Sequence, residues 1–515
     1  MLNLHEPQTA AYWLQSRVTG QLQTDSRLVG QGDGFIAWPG AVADGRQYVE
    51  AAIRQGAGAC LVEQAGVERF ASQFEALPSV ATCTGLKAVC GPIAAAYYEH
   101  PSRKLDVVAV TGTNGKTSSS WWLAQALVWL HASEKTACGL VGTLGVGAMR
   151  SREDFQTGSA ALQATGLTTP DPVFLQHSLH RFVSEGVKTC VIEASSIGLA
   201  EHRLDGTQIR TAIFTNFTQD HLDYHGSMAS YWQAKTRLFD WSGLQAAVIN
   251  ADDSHGTELV RRLQGQALDV WTFSCQGDAR LQAQDIALEP QGLRFTVVEG
   301  DARLVVKTQL IGGYNVANLL GVMAALRSLG VSLQSAAAAC SNLDPVPGRM
   351  ACLTLEGQPL AVVDYAHTPD ALAQALQALR PLADLRGGRL WCVFGCGGSR
   401  DPLKRPLMGA VAVRHADVVV VTSDNPRSEA PEHIISQILL GLKESPDVVV
   451  LADRAQAIAR TVAQAAAADV ILVAGKGHED YQEIGEQRLP FSDPAHLGAA
   501  LRARADSLVR TGDLV

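Results

Sequence analysis

Short apolar runs closed by polar or glycine-containing turns alternate along this chain with longer stretches of helical spacing. The first hundred residues pair such runs with turns such as GDGFIAWPG (32–40) and close on the helix-like GPIAAAYYEH (91–100). Pro101, followed by Arg103 and Lys104, breaks the pattern before a new apolar strand, which places a boundary near residue 100. From Leu105 the order is strand (DVVAV), glycine-containing turn and helix (SSSWWLAQALVWL), the opening βα unit of a doubly wound, mostly parallel sheet. The further strands KTCVIEAS (188–195), TAIFTNF (211–217) and AAVIN (246–250) end in polar residues. Ligand-binding groups of open α/β sheets gather at such carboxyl ends. Two prolines and a glycine in DPVPGRM (344–350) mark a second boundary. Beyond it, LAVVDYA, RLWCVFG, DVVVVTSD and DVILVAG alternate with Ala/Leu-rich helices, as in another α/β domain of Rossmann-like pattern. The expectation is an α/β protein of three domains, at 1–100, 101–346 and 347–515.

Length agrees with that division, since 515 residues at roughly 150 per domain give about three. With 47% hydrophobic, 18% charged and 6% aromatic residues, the composition excludes disordered, fibrous and membrane classes. The net charge of -9 argues against a sequence-blind nucleic-acid binder, which needs basic stripes, so anionic ligands have to be caught locally. Ten cysteines form no dense framework, and Cys392 and Cys396 are separated by three residues rather than the two of a C-x-x-C pair. Buried structural thiols in a reducing cytoplasm are expected. The amino terminus lacks a basic region leading into an apolar one, and no long apolar run follows, so neither export nor a membrane span is expected.

The segment VTGTNGKT (110–117) follows a strand and opens a helix, the setting of a phosphate-binding loop. Gly112, Thr113, Asn114 and Gly115 would wrap backbone N–H groups around phosphate oxygens, with Ser118 just inside the helix. Lys116 would bridge phosphates and the Thr117 hydroxyl would take Mg²⁺, the helix N-terminus adding positive potential. The eight-residue G-x-x-x-x-G-K-[ST] pattern fails at its first position, which is Val110. Read bare, His221 is a turn histidine, and AKTRLF (234–239) is an amphipathic helix with exposed cations.

The string TGTNGKT (111–117) resembles the degenerate phosphate loop of the Mur ligases and their folylpolyglutamate synthase relatives. The resemblance runs over nearly the whole chain: LTTPDP (167–172), EASSIGL (193–199), TNFTQDHLDYHG, the AKxxLF run from Ala234 to Phe239, GGYNVANLLG (312–321), PGRM (347–350), DYAHTPD (364–370), FGCGGSRDPLKRPLM (394–408), DNPR (424–427) and AGKGHED (474–480). These strings resemble the members that add a third amino acid to UDP-N-acetylmuramoyl-L-alanyl-D-glutamate, and DNPR resembles the version that takes meso-diaminopimelate. Arg427 is physically apt, because a guanidinium forks onto a carboxylate and diaminopimelate has one carboxylate more than lysine.

The resemblance implies a UDP-binding first domain, a central ATPase domain and an amino-acid-binding third domain that closes on them. It implies ATP as co-substrate, Mg²⁺, an acyl-phosphate intermediate in cytoplasmic peptidoglycan precursor synthesis, small-molecule partners only, and a monomer. Lys116, Glu193, His221 and Lys235 are the implied catalytic set; Thr117, Glu193, His221 and a CO₂-derived carbamate on Lys235 are the implied metal ligands. Asn318, Arg349, Asp364 and His367 are implied on the nucleotide side. Thr24 and Ser26 of TDSR (24–27), with Thr168, Thr169, Ser195 and Arg203, are implied for the UDP-sugar dipeptide. Arg400, Asp424, Asn425, Pro426, Arg427, Gly475 and Glu479 are implied for diaminopimelate. Two departures stand out: Ala41 and Val42 in GAVADGR (40–46) replace polar residues, and Glu201 replaces a frequent Gln. The alternatives are lysine addition, which calls for loss of Arg427, folylpolyglutamate synthesis, which leaves the first domain unexplained, and a catalytically inactive nucleotide-binding scaffold.

Overall fold

The computed structural model describes every residue except 41–42, 75–76, 135, 157–161, 290–291, 443–447 and 513–515. Three sheets carry the chain. The first is five-stranded and parallel, in the order Leu2–Leu4, Val80–Cys83, Ala59–Glu63, Gly34–Ala37, Leu22–Gln23. The second has ten strands between Asp106 and Thr308; its centre is parallel, and antiparallel pairs flank it on both sides. The third has six strands between Ala351 and Ala474, parallel except for its first pair. A separate antiparallel hairpin pairs Tyr481–Ile484 with Gln487–Pro490.

Alternation within the strands explains the layering. In the strand Asp106–Thr111, Val108 and Val110 join the apolar cluster under the helices Lys116–Leu130 and Tyr314–Ser328. Val107 and Ala109 join the opposite cluster, with Leu175 and Leu179 of the helix Pro172–Ser184. A sheet covered on both faces explains why its strands read as continuous apolar runs. Trp121 and Trp122 are both buried against it, and full burial of one large side chain contributes roughly 1.5–3 kcal/mol. The third sheet repeats the device: Val362 and Cys392 face one cluster, Val363 and Val393 the other.

Some details differ from the sequence reading. The first helix-like segment begins at Leu86 and ends at Tyr97, with Pro92 inside it. AKTRLF is not a helix of exposed cations: the α-helix Met228–Thr236 gives way to a tighter turn at Arg237–Asp240, and Lys235 is buried while Arg237 is exposed. Eight of the ten cysteines are buried, Cys275 is half-buried and Cys352 exposed. Among the described residues no helix is long and apolar enough to cross a membrane.

Candidate functional site

The strand Asp106–Thr111 lies inside the ten-stranded sheet, between Thr211–Phe214 and Thr189–Glu193. All three deliver their carboxyl ends to one cavity of about 570 Å³, which the third sheet closes from the other side through Arg349, Asp364 and His367. Two loop glycines are required by space as well as by dihedral. A Cβ on Gly112 (φ +150°) would lie 1.8 Å from Thr215 Oγ1, and one on Gly115 (φ +83°) 2.5 Å from Asn318 Oδ1. Asn318 is thereby placed against the phosphate loop, its amide bonded to Asn315 Oδ1 at 3.0 Å.

Lys116 curls back to donate to the carbonyls of Gly112 and Thr113, both at 2.8 Å. Thr113 Oγ1 meets Tyr231 Oη at 3.1 Å, and the Asn114 amide reaches across to Asp370 Oδ2 at 2.9 Å. Thr117 and Ser118 are buried in the first helical turn and line the cavity. Thr117 Oγ1 donates to Glu193 Oε2 at 2.9 Å, and Arg349 Nη2 donates to Thr117 Oγ1 at 3.2 Å. Glu193 also accepts from Thr143 through its N–H at 2.8 Å and its hydroxyl at 3.1 Å.

Lys235 donates to the Gly112 carbonyl at 2.7 Å, with its ammonium 4.5 Å from the centre of the Tyr231 ring. Burial and the neighbouring Lys116 hold its amine well below the usual lysine range. His221 takes a left-handed conformation (φ +51°) and opens the short helix Leu222–His225. Burial lowers the His221 imidazole and favours its neutral, ligand-competent form, while Asp220 partly opposes this. Asp220 is itself buried, which would raise it, yet the charges of His221, His367 and Lys404 bring it to about 2. Among the described residues no three His, Cys, Asp or Glu side chains form a ready metal cage. The Thr117 and Thr143 hydroxyls and the Glu193 carboxylate are hard oxygen donors, the set Mg²⁺ uses when phosphates complete its shell. Arg349 Nε is buried without a partner among the described residues, a donor suited to an anionic ligand.

Of the residues expected to face the nucleotide, His367 lines the cavity with Nδ1 bonded to the Tyr365 carbonyl at 2.8 Å. Burial and Lys404 lower it to about 4. Asp364 does more for the backbone than its amino-acid type suggested, since its two oxygens accept from the N–H groups of Met350 and Ala366, both at 2.8 Å.

Four of the six residues expected for the sugar-peptide portion, Thr168, Thr169, Ser195 and Arg203, fall into one cluster. Thr169 Oγ1 bonds the Glu193 carbonyl at 2.6 Å and Ser195 Oγ at 3.0 Å, and Thr168 Oγ1 meets Thr143 Oγ1 at 3.1 Å. Arg203 Nη1 donates to the Thr169 carbonyl at 2.9 Å. Thr24 reaches this turn from the first sheet through the Asp171 carboxylate, whereas Ser26 is half-exposed at the head of the turn Ser26–Leu28. Glu201 pairs with Lys87 at 2.6 Å and with the Tyr224 hydroxyl, so its carboxylate is engaged within the chain. Ala41 and Val42 lie outside the described residues.

A second cluster sits at the carboxyl ends of the third sheet. Asn425 Nδ2 donates to Glu479 Oε2 at 2.8 Å, and Asp424 Oδ1 accepts from the Asn425 N–H at 2.7 Å. Gly475 (φ +118°) gives Asp424 room, because a Cβ there would stand 2.4 Å from Asp424 Oδ2. Pro426 leads into Arg427, which flanks Gly397 together with Arg400. Lys476 is wholly buried and donates to both Asn425 Oδ1 and Glu479 Oε2 at 2.9 Å. Sequence reasoning passed over Lys476, although it lies inside AGKGHED, and passed over Thr143, whose strand-end turn carries no motif.

Sequence models of this family match in three consecutive stretches: the Mur ligase family catalytic domain at 20–95, the Mur ligase middle domain at 110–326, and the Mur ligase glutamate ligase domain at 348–477. A protein of Acidovorax sp. strain JS42, named UDP-N-acetylmuramoyl-L-alanyl-D-glutamate--2,6-diaminopimelate ligase, is 60% identical over 96% of this chain and 97% of its own. A protein of the same name from Janthinobacterium sp. strain Marseille is 48% identical over 96% of each chain. A solved structure of a ligase of that name superposes with a TM-score of 0.63 at 34% identity, covering 94% of this chain and 95% of its own. Likeness of this degree over nearly the full length, with family models matching three consecutive stretches, shows that the chain belongs to the Mur ligase family.

Proposed function

We propose that this chain is an ATP-dependent ligase that adds meso-diaminopimelate to the D-glutamate γ-carboxylate of UDP-N-acetylmuramoyl-L-alanyl-D-glutamate. The observation that carries this reading is the junction of two differently built sites at the turn 347–350. Arg349 bonds Thr117 on the phosphate side, while Gly348 packs so closely on the GKGHE turn that a Cβ would come 2.2 Å from the His478 N–H nitrogen. A phosphate cradle thus adjoins a pocket in which Arg400 and Arg427 suit carboxylates and Glu479 suits an ammonium.

Residues 1–100 are taken to bind the UDP portion, 101–346 ATP and metal, and 347–515 the amino acid. In this reading Lys116 and Arg349 hold the γ-phosphoryl as it moves to the carboxylate, giving an acyl phosphate that the incoming amine attacks. Catalysis by this chain is then positioning and charge neutralisation. Thr117, Glu193, His221 and carbamylated Lys235 would hold Mg²⁺, which supplies neutralisation of the transferring phosphate. Asn318, Asp364 and His367 would line the nucleotide, and Thr24, Ser26, Thr168, Thr169, Ser195 and Arg203 the sugar-dipeptide. Closure of the third unit excludes water from the acyl phosphate. A cytoplasmic monomer working in peptidoglycan precursor synthesis fits this reading.

The test is to supply the full chain with the UDP-sugar dipeptide, ATP and Mg²⁺, offer meso-diaminopimelate and L-lysine in parallel, and identify products by mass spectrometry. Tripeptide product with diaminopimelate and ADP release is expected. Product chiefly with lysine would overturn the role given to Arg427, and no product with either would return the chain to a nucleotide-binding scaffold.

A further inference from the structure

The hairpin formed by Tyr481–Ile484 and Gln487–Pro490 lies along the DNPR turn and grips it residue by residue. Gln482 Nε2 bonds Ser423 Oγ at 3.0 Å and the Asp424 carbonyl at 2.6 Å, and the Glu483 N–H donates to Asn425 Oδ1 at 2.9 Å. The Arg427 N–H donates to the Glu483 carbonyl at 3.0 Å, and the Gly485 N–H returns to the Arg427 carbonyl at 2.8 Å. These two bonds hold Arg427 in a left-handed conformation (φ +52°) that residues other than glycine seldom adopt.

The side chain is held as firmly as the backbone. Arg427 Nε donates to Glu483 Oε2 at 2.8 Å and Nη1 to the Gly398 carbonyl at 3.0 Å. Nη2 has no partner among the described residues. The other oxygen of Glu483 accepts from Arg488 Nε at 2.9 Å. One carboxylate charge is therefore divided between two guanidiniums, and Arg427 keeps attraction for a further anion.

We propose that Glu483 is a positioning residue for amino-acid specificity: by occupying the Nε side of Arg427 it leaves only the Nη2 end open, and so sets where the second carboxylate of the incoming amino acid docks. This rests on the diaminopimelate reading above. The physical gain is preorganisation. An arginine on a loop loses rotamer freedom when it binds an anion, and here the ion pair has fixed the rotamer before the ligand arrives.

The experiment compares steady-state kinetics of the full-length wild type, Glu483→Ala and Glu483→Gln for all three substrates. Glu483→Ala is expected to raise KM for meso-diaminopimelate about tenfold, equivalent to about 1.4 kcal/mol. Its kcat should stay within about twofold, and its KM for ATP and for the UDP-sugar dipeptide should not move, the pattern of lost binding rather than lost chemistry. Glu483→Gln keeps an oxygen that accepts from Nε and should recover most of the affinity. An unchanged KM in Glu483→Ala, a parallel rise in all three KM values, or a Gln variant no better than Ala overturns the proposal while the wild type still turns over diaminopimelate. A wild type inert toward diaminopimelate overturns the functional reading itself, and the inference with it.

Discussion

Lys116 and Lys235 donate to one oxygen: both ammonium groups bond the Gly112 carbonyl, at 2.8 and 2.7 Å. Lys235 is buried and Lys116 half-buried, and desolvation disfavours the charge of both. Two cations on a single dipole repel at short range in a medium that screens poorly, and the repulsion is relieved if one becomes an anion. The carbamate proposed for Lys235 would do this and would place two oxygens beside the phosphate loop, where an ammonium would repel a metal.

Replacing Lys235 by Ala or Arg is accordingly expected to lower kcat by about 10²–10³-fold, the scale of losing one preorganised electrostatic group. Fold should be retained in the Ala variant. ¹³C NMR after addition of labelled bicarbonate should show a carbamate resonance in the wild type that is absent from both variants. A wild type that keeps its full activity in CO₂-depleted buffer, or a variant as active as the wild type with bicarbonate present, would overturn the carbamate.

Among the described residues Thr143 supplies two of the three hydrogen bonds to the Glu193 carboxylate, through its N–H and its hydroxyl. Thr143→Val keeps the shape and the N–H but deletes the hydroxyl. The Mg²⁺ concentration for half-maximal activity should rise several-fold, within the range of about 10–100-fold seen when groups that orient metal ligands are lost. The KM for the amino acid should be unaffected. The check is a Mg²⁺ titration at saturating substrates; an unchanged midpoint removes Thr143 from the metal site.

How much of this could be read in advance depends on how local the cause is. The phosphate loop was legible because Gly112 and Gly115 answer to dihedrals and close approaches that leave a mark in the chain itself. The mostly parallel sheet behind it was legible in apolar runs with polar carboxyl ends, whereas its strand order was not. Lys235 was not legible from its surroundings: the residues around it spell a surface helix, and its burial comes from a carbonyl 123 positions away. Asp364 carries a second use that the chain does not announce: its oxygens fasten Met350 and Ala366, which depends on how the turn after PGRM folds back. Lys476 stood inside a recognised string, but only the folded chain shows that it bonds one oxygen of Glu479 and steadies Asn425.

Stability should fall as acid is added, with an identifiable part due to two histidines. His367 is lowered to about 4 by burial and Lys404, and His478 to about 3 by burial and Arg349, against an ordinary value of 6.5. Below pH 6.5 the unfolded chain binds protons that the folded chain refuses, so this contribution is complete above 6.5 and is lost as pH drops through the folded values. Roughly a few kcal/mol is at stake between pH 6.5 and 4. Denaturant unfolding across that range should show a steeper loss in the wild type than in His478→Gln, whose side chain takes no proton. Equal slopes would show that His478 is not held neutral.

Arg454 and Asp493 are both fully buried and paired at 2.7 Å, and the guanidinium also donates to the carbonyls of Ser423 and Ala474. The pair thus ties together the last helix and the ends of two strands that lead into the DNPR and GKGHE turns. Breaking such a pair costs more than never having it, because the survivor stays buried and uncompensated, typically by about 3–5 kcal/mol. Asp493→Leu and Arg454→Met should each destabilise the third unit on that scale. The double variant Arg454→Met with Asp493→Leu leaves no orphan charge and should recover much of the loss, although the two backbone carbonyls remain without their donor. Thermal unfolding of all four proteins closes the cycle. A double variant whose loss equals the sum of the singles would mean that the pair does not act as a unit.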